Sequence, residues 1–190
     1  MPNKINYLRF ILLIAFCVLF TQIAFSQGTE VITHESMWLM KRVGAPVPSP
    51  DGKWVVFSMT EPAYDEKDQG SDLWIVPADG STKPRRLTFS KAGESGATWS
   101  PDGKKIAFTS IRSGDLELYT MDIDGSNLKQ ITTGLGYDGG CFFSHDSKKL
   151  VFRSSRPKTA EAIKEYKDLL AQNLVAPSEM EIYTCNIDGS

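Results

Sequence analysis

One phrase occurs three times along this chain. Ser49-Pro50-Asp51-Gly52-Lys53-Trp54-Val55-Val56-Phe57-Ser58 returns as Ser100-Pro101-Asp102-Gly103-Lys104-Lys105-Ile106-Ala107-Phe108-Thr109, and in weaker form as Ser144-His145-Asp146-Ser147-Lys148-Lys149-Leu150-Val151-Phe152-Arg153. The copies lie 51 and 44 residues apart, the length of one four-stranded propeller blade. Such a period constrains the architecture first, because each unit must bury its faces against its neighbours.

Each copy is a turn leading into a strand. Pro50 and Pro101 preset φ at the second turn position. Asp51 and Asp102 follow, and Gly52 and Gly103 can take the left-handed conformation of a bulged hairpin. In the third copy His145 replaces the proline and Ser147 the glycine. A left-handed serine costs roughly 1 kcal/mol, which points to a different turn there. The following strand is apolar at consecutive positions: Val55-Val56-Phe57, Ile106-Ala107-Phe108 and Leu150-Val151-Phe152. Absence of alternation requires cover on both faces.

A third strand also recurs, as Leu73-Trp74-Ile75-Val76, Leu118-Tyr119-Thr120-Met121 and Ile182-Tyr183-Thr184-Cys185. Each runs into a hairpin signal: Asp79-Gly80-Ser81, Asp124-Gly125-Ser126 or Asp188-Gly189-Ser190. Fourth strands follow at Arg85–Thr88 and Lys129–Thr132, and the third repeat stops at its hairpin. The expected fold is all-β: a partial propeller of about three four-stranded antiparallel blades, the last incomplete, at about 45–90, 96–133 and 140–190. A closed propeller takes 4 to 8 blades, so the chain reads as the front portion of a longer protein.

Two helices interrupt the pattern. Glu35 to Arg42 reads as a short helix packing Trp38 and Leu39, closed by Gly44 and Pro46, within a leader at 27–46. Lys158 to Gln172, in an insertion at 158–176, is amphipathic. Thr159 can cap it, and Ala162, Ile163, Tyr166, Leu169 and Leu170 share one face.

The first 26 residues read as an export signal. Lys4 and Arg9 precede the apolar run Phe10 to Phe20, and Ala24-Phe25-Ser26 supplies small residues before a cut at Gln27. The run is shorter than the roughly 18 residues of a membrane span, so membrane contact is expected only through this segment before cleavage. Cleavage takes the net charge from −2 to −4. The charge is dispersed, with no basic stripe, which argues against a nucleic-acid partner. Cys141 and Cys185 remain, on the first and third strands of one blade. Those strands should lie about 9 to 10 Å apart, too far for a disulfide, so both are expected as buried thiols.

These repeats resemble the PD40, or WD40-like, repeats of TolB-type six-bladed propellers, carried by Trp99 to Ser110 and Leu118 to Thr132. The resemblance spans about 47–190 and implies a non-enzymatic periplasmic module that binds other proteins. The front of the chain is also similar to the propeller of the S9 prolyl oligopeptidase family, through the helix leading to Ser-Pro-Asp-Gly, Asp72 to Val76 and Arg86-Leu87-Thr88. That similarity implies a propeller gating a separate C-terminal hydrolase domain.

The chain offers no catalytic constellation or cofactor motif. Ser144-His145-Asp146 has triad residues, but three consecutive turn residues diverge, whereas a triad converges from separate segments. No Gly-x-Ser-x-Gly elbow occurs. Asp122 to Asn127 lacks the glycine and glutamate of a calcium loop and reads as a hairpin. His34 and His145 have no second ligand at zinc spacing. Arg112 and Arg156 stand four residues after Phe108 and Phe152, where the first blade has Glu61. They are expected to pair with a carboxylate such as Asp115 or Glu117 and brace a loop. Alternatively, they form part of a ring of cations that meets a carboxylate-bearing protein, peptide or other ligand at the propeller surface.

Overall fold

The computed structural model describes residues 31–65, 68–91, 93–176 and 179–190. The export segment, Glu66, Lys67 and Pro177 lie outside them. A short helix, α1 (His34–Trp38), lies in a unit ending at Met37 except for its last residue, and the blades form the unit Trp38–Ser190.

The helix expected to reach Arg42 ends at Trp38. Arg42–Val43 is instead strand β1, paired with Met59 and Thr60 of β3 (Trp54–Glu61). Gly44 donates its N–H to the Ser58 carbonyl at 2.8 Å, and β2 (Val47–Pro48) resumes pairing with the same β3. The innermost strand of the first blade is thus split in two. Its sheet has five strands rather than four, completed by β4 (Gly70–Pro77) and β5 (Arg85–Arg86).

The second blade has the expected four antiparallel strands: β6 (Glu94–Trp99), β7 (Lys105–Ser110), β8 (Glu117–Asp122) and β9 (Lys129–Gln130). The third has β10 (Tyr137–Phe143), β11 (Lys149–Ser155) and β12 (Glu181–Asn186), with α2 (Ala160–Leu170) between the last two. β6 and β10 each start a few residues before the expected boundary. Thr159 caps α2, accepting from the Ala162 N–H.

The unbroken apolar runs are explained by two seams. Ile106 and Phe108 of β7 pack with Val56, Leu73, Ile75 and Leu87 of the first blade. Ala107, between them, faces the other way, with Leu118 and Ile131 against Cys141, Leu150 and Phe152 of the third. A blade covered on both sides needs apolar residues at every position. Polar contacts cross the first seam too. Trp99 Nε1 donates to the Val47 carbonyl at 2.9 Å, and the Arg85 guanidinium donates to the Ile123 and Asp124 carbonyls at 3.0 Å.

The three turns are built alike. The Ser49, Ser100 and Ser144 hydroxyls donate to Asp51, Asp102 and Asp146 at 2.6, 2.6 and 2.7 Å. Each serine Oγ also accepts a strand N–H, from Trp54, Lys105 or Lys149. Gly52 and Gly103 stand at φ 70°, and Ser147 at φ 60°. The third turn therefore keeps its type despite the serine. The shared serine–aspartate lock, not the glycine, specifies the conformation, and the backbone bears the cost.

Cys141 and Cys185 are both free thiols; Cys141 is buried, while Cys185, packed on the second seam from the edge strand of its sheet, is half-buried.

Candidate functional site: arginine–carboxylate seams

Register fixes which ends of the strands hold the polar residues. The Ser-Pro-Asp-Gly and Asp-Gly-Ser turns share one end of each blade, since Lys105 pairs with Asp122 and Trp54 with Pro77. At the opposite end Ser110 pairs with both Glu94 and Glu117. Here Arg86, Arg112 and Arg156 meet buried acids.

In the seam between the first two blades the acids are Asp72 of β4 and Glu94 of β6, 3% and 1% exposed. Arg86 pairs with Asp72 and Arg112 with Glu94. Arg86 Nε also donates to the Thr88 carbonyl at 2.9 Å, and Thr88 Oγ1 accepts the Leu73 N–H at 2.9 Å. Arg112 Nε donates to Ser110 Oγ at 3.1 Å, with its guanidinium 4.9 Å from the Tyr119 ring centroid and 5.6 Å from that of Phe108. Burial raises the Glu94 carboxyl above its ordinary value, although Thr88 and Arg112 pull it down.

The seam between the second and third blades repeats this plan with one change. Its acids are Glu117 of β8 and Asp138 of β10, 2% and 0% exposed. Arg156 Nη2 donates to Asp138 at 2.7 Å, and Leu118 N–H donates to Thr132 Oγ1 at 2.9 Å. Where Arg86 would stand, Gln130 Nε2 donates to the Thr132 carbonyl at 2.9 Å. Burial lifts the Glu117 carboxyl to about 7; the Thr132 hydrogen bond opposes this and the Asp138 charge adds to it. Gly134 leaves room for the Arg156 guanidinium, which a Cβ there would meet at 3.1 Å.

The two arginines singled out in the sequence are thus brought to equivalent places. Their partners are Glu94 and Asp138 rather than Asp115 or Glu117. The reason is the sheet: each acid sits on the first strand of the same blade, opposite Ser110 or Ser154, and the arginine two residues further on folds back over it. Sequence reasoning missed Glu94, Asp138, Asp72 and Arg86. The signal was an acid at matching places in the first strands, 16 residues before Ser110 and Ser154. In the first blade the signs are reversed, Lys41 pairing with Glu61 at the surface. The turn residues Pro50, Pro101, Asp79, Gly80, Asp124, Gly125, Asp188 and Gly189 lie at the other end, away from these pairs.

Beside the first seam, Glu61, Asp68, Gln69, Arg86, Phe89 and Lys91 line a groove of about 140 Å³. Phe89 is 75% exposed, its ring centroid 5.1 Å from the Arg86 guanidinium. Among the described residues no group of three or more His, Cys, Asp or Glu is placed to hold a metal ion.

A model of the PD40 family, the TolB beta propeller domain, matches residues 18–181. The chain belongs to this family. Dipeptidyl-peptidase 5 of Porphyromonas endodontalis is 30% identical over 141 residues, covering 74% of this chain and 20% of the relative. The chain therefore spans about a fifth of that relative's length. TolB from Acinetobacter baumannii shares the fold, with a TM-score of 0.52 and 22% identity over 76% of this chain and 30% of that structure. An acylaminoacyl peptidase from Pyrococcus horikoshii does likewise, with a TM-score of 0.54 and 17% identity over 66% and 19%. The same propeller fold is thus shared with TolB and with a peptidase.

Proposed function

We propose that this chain is the leading part of a larger exported propeller, and that it serves as a non-catalytic module binding protein or peptide at the arginine-bearing end of its blades. The observation that carries the first half is Ile182. It stands where Leu73 and Leu118 stand in the other blades; they are 0% exposed and it is 68% exposed. The exposed face of β12, Ile182, Thr184 and Asn186, matches Leu118, Thr120 and Asp122 on the seam face of β8 and calls for another blade against it. Export is supported by Lys4, Arg9 and the apolar run before Ala24-Phe25-Ser26.

For binding, the candidate contacts are Arg112 and Arg156, whose side chains keep 20% and 28% of their surface exposed, beside Arg86 at 32%. A row of planar cations held rigid by buried acids suits a carboxylate-bearing peptide. A second reading is favoured by the dipeptidyl-peptidase 5 match over 74% of this chain. In it the propeller gates access to a serine peptidase domain.

The test is the full-length gene product. N-terminal sequencing of exported protein is expected to find Gln27 first. Titration with a fluorescent peptide ending in a free carboxylate is expected to show saturable binding, weakened in R112A and R156A variants that remain folded. No binding would end the module reading. Cleavage of a dipeptide-linked chromogenic substrate would establish the peptidase reading.

A further inference from the structure

The two seams carry the same number of buried acids and different numbers of arginines. Asp72 and Glu94 have Arg86 and Arg112; Glu117 and Asp138 have Arg156 alone. Gln130 reproduces the near half of Arg86, its bond to the threonine carbonyl two residues on, and lacks the guanidinium that reaches the acid. Asp138 donates its N–H to the carbonyl of Leu116, the residue before Glu117, at 2.9 Å, and its side chain and charge act on the Glu117 carboxyl. Yet Glu117 Oε2 and Asp138 Oδ1 are both buried without a hydrogen-bond partner, as is Ser154 Oγ opposite Asp138, whereas the first seam has one such oxygen among the described residues, Glu94 Oε2. Two carboxylates have only acceptors to offer, so this contact lacks one proton. Leaving both ionised there would bury like charges with a single cation between them.

We propose that Glu117 is held as a carboxylic acid donating to Asp138, and that loss of this one proton loosens the second seam together with the inserted helix α2 clipped to it. The clip is direct. Tyr166 of α2 donates its hydroxyl hydrogen to Asp115, which also accepts the Gly136 N–H at 3.0 Å, while the Asp138 N–H donates to the Leu116 carbonyl at 2.9 Å. The start of β10 and the middle of α2 therefore converge on Asp115 and Leu116, the two residues before Glu117.

The charged and titratable groups facing it are Asp115 from that loop, Asp138 from β10, Arg156 beyond β11 and Tyr166 from α2, with Tyr183 and Cys185 on β12 near Asp138. Two of these are carboxyl groups and one is a cation, so a further negative charge at Glu117 meets net repulsion. When the Glu117 O–H breaks, the proton passes to bulk water and the new carboxylate faces Asp138 with Arg156 as the one cation offsetting the two charges. Folding favours the acid form. Stability from this group is full at and below the ordinary carboxyl value of 4.5 and is lost as pH rises through about 7.

The test is amide hydrogen exchange on the intact chain between pH 5.5 and 8.5, corrected for the intrinsic effect of pH. In the wild type, protection of α2 and of the Asp138 amide is expected to fall at least about tenfold across that range. Amides of β6 in the first seam, where two guanidiniums meet the two acids, should change less. In Q130R, which supplies the missing guanidinium at a half-exposed site, and in E117Q, which cannot ionise, the fall is expected to disappear. Protection independent of pH in the wild type, or an undiminished fall in Q130R, overturns the proposal. A variant-free arm guards against misfolding: side-chain 13C titration of labelled glutamate should show Glu117 changing near neutral pH. An ordinary carboxyl midpoint there overturns the proposal on its own.

Discussion

Tyr166, at the centre of the inserted helix, bonds through its hydroxyl to Asp115, 51 residues earlier in the chain. That bond ties an insertion of the third blade to a loop of the second. It also accounts for the burial of Tyr166, the one α2 residue 7% exposed among half-exposed apolar neighbours.

Removing only the hydroxyl tests that tie. Y166F is expected to cost about 1 kcal/mol, because Asp115 keeps its two backbone donors, Leu116 and Gly136. Y166A, which also removes the ring, is expected to cost about 3 kcal/mol. Urea unfolding followed by far-ultraviolet dichroism measures both.

The buried acids make their arginines hard to remove. R112A leaves Glu94, 1% exposed, without its cation, and R156A does the same to Asp138. Each is expected to destabilise by about 3 kcal/mol. R112K should recover only part of this, since lysine cannot bond Ser110 and Glu94 in one plane. Thermal unfolding ranks the three.

The third turn contains strain that can be relieved. Ser147 sits at φ 60° where the other copies have glycine, so S147G is expected to stabilise by up to about 1 kcal/mol. The reverse change, G103S, should destabilise by a similar amount. Chemical denaturation of the pair reports both signs.

The hairpin glycines separate local strain from contact between blades. A Cβ at Gly80 meets nothing within 4 Å, at Gly125 it meets the Leu87 carbonyl at 3.1 Å, and at Gly189 the Ile131 carbonyl at 2.9 Å. All three have positive φ. The expected order of destabilisation on change to alanine is Gly80, then Gly125, then Gly189. Equal losses would mean that strain alone matters.

Acid should attack the turns. The serine hydroxyls and following backbone N–H groups hold Asp51, Asp102 and Asp146 below the ordinary aspartate value of 3.8. Folding favours their charged forms, so their contribution is present above that value and lost as pH falls through the depressed one. D102N is expected to reduce the slope of stability against pH below about pH 4. Urea midpoints from pH 2 to 5 measure it.

Much of the frame was legible because it is local. The Ser-Pro-Asp-Gly turns, the apolar second strands and the face of α2 each follow from residues within a dozen positions. Arg112 and Arg156 were visible as equivalents for the same reason. The acids they bind were not, since Glu94 and Asp138 lie one strand away and carry no turn or period of their own. The split of the first strand was hidden too. Arg42 reads as the end of the helix that holds Trp38, and only β3 supplies the backbone partners that draw it and Val43 into a sheet.

The chain's own residues determined the repeat, the strand order within each blade and the demand for cover on both faces, because turn chemistry and hydrophobic patterning act over short range. Only the tertiary structure decided which charges are buried together. Gln130 in place of Arg86 is an unremarkable difference along the chain. It becomes a missing cation only once the seam has brought Glu117 and Asp138 side by side out of water, where an unbalanced charge is costly.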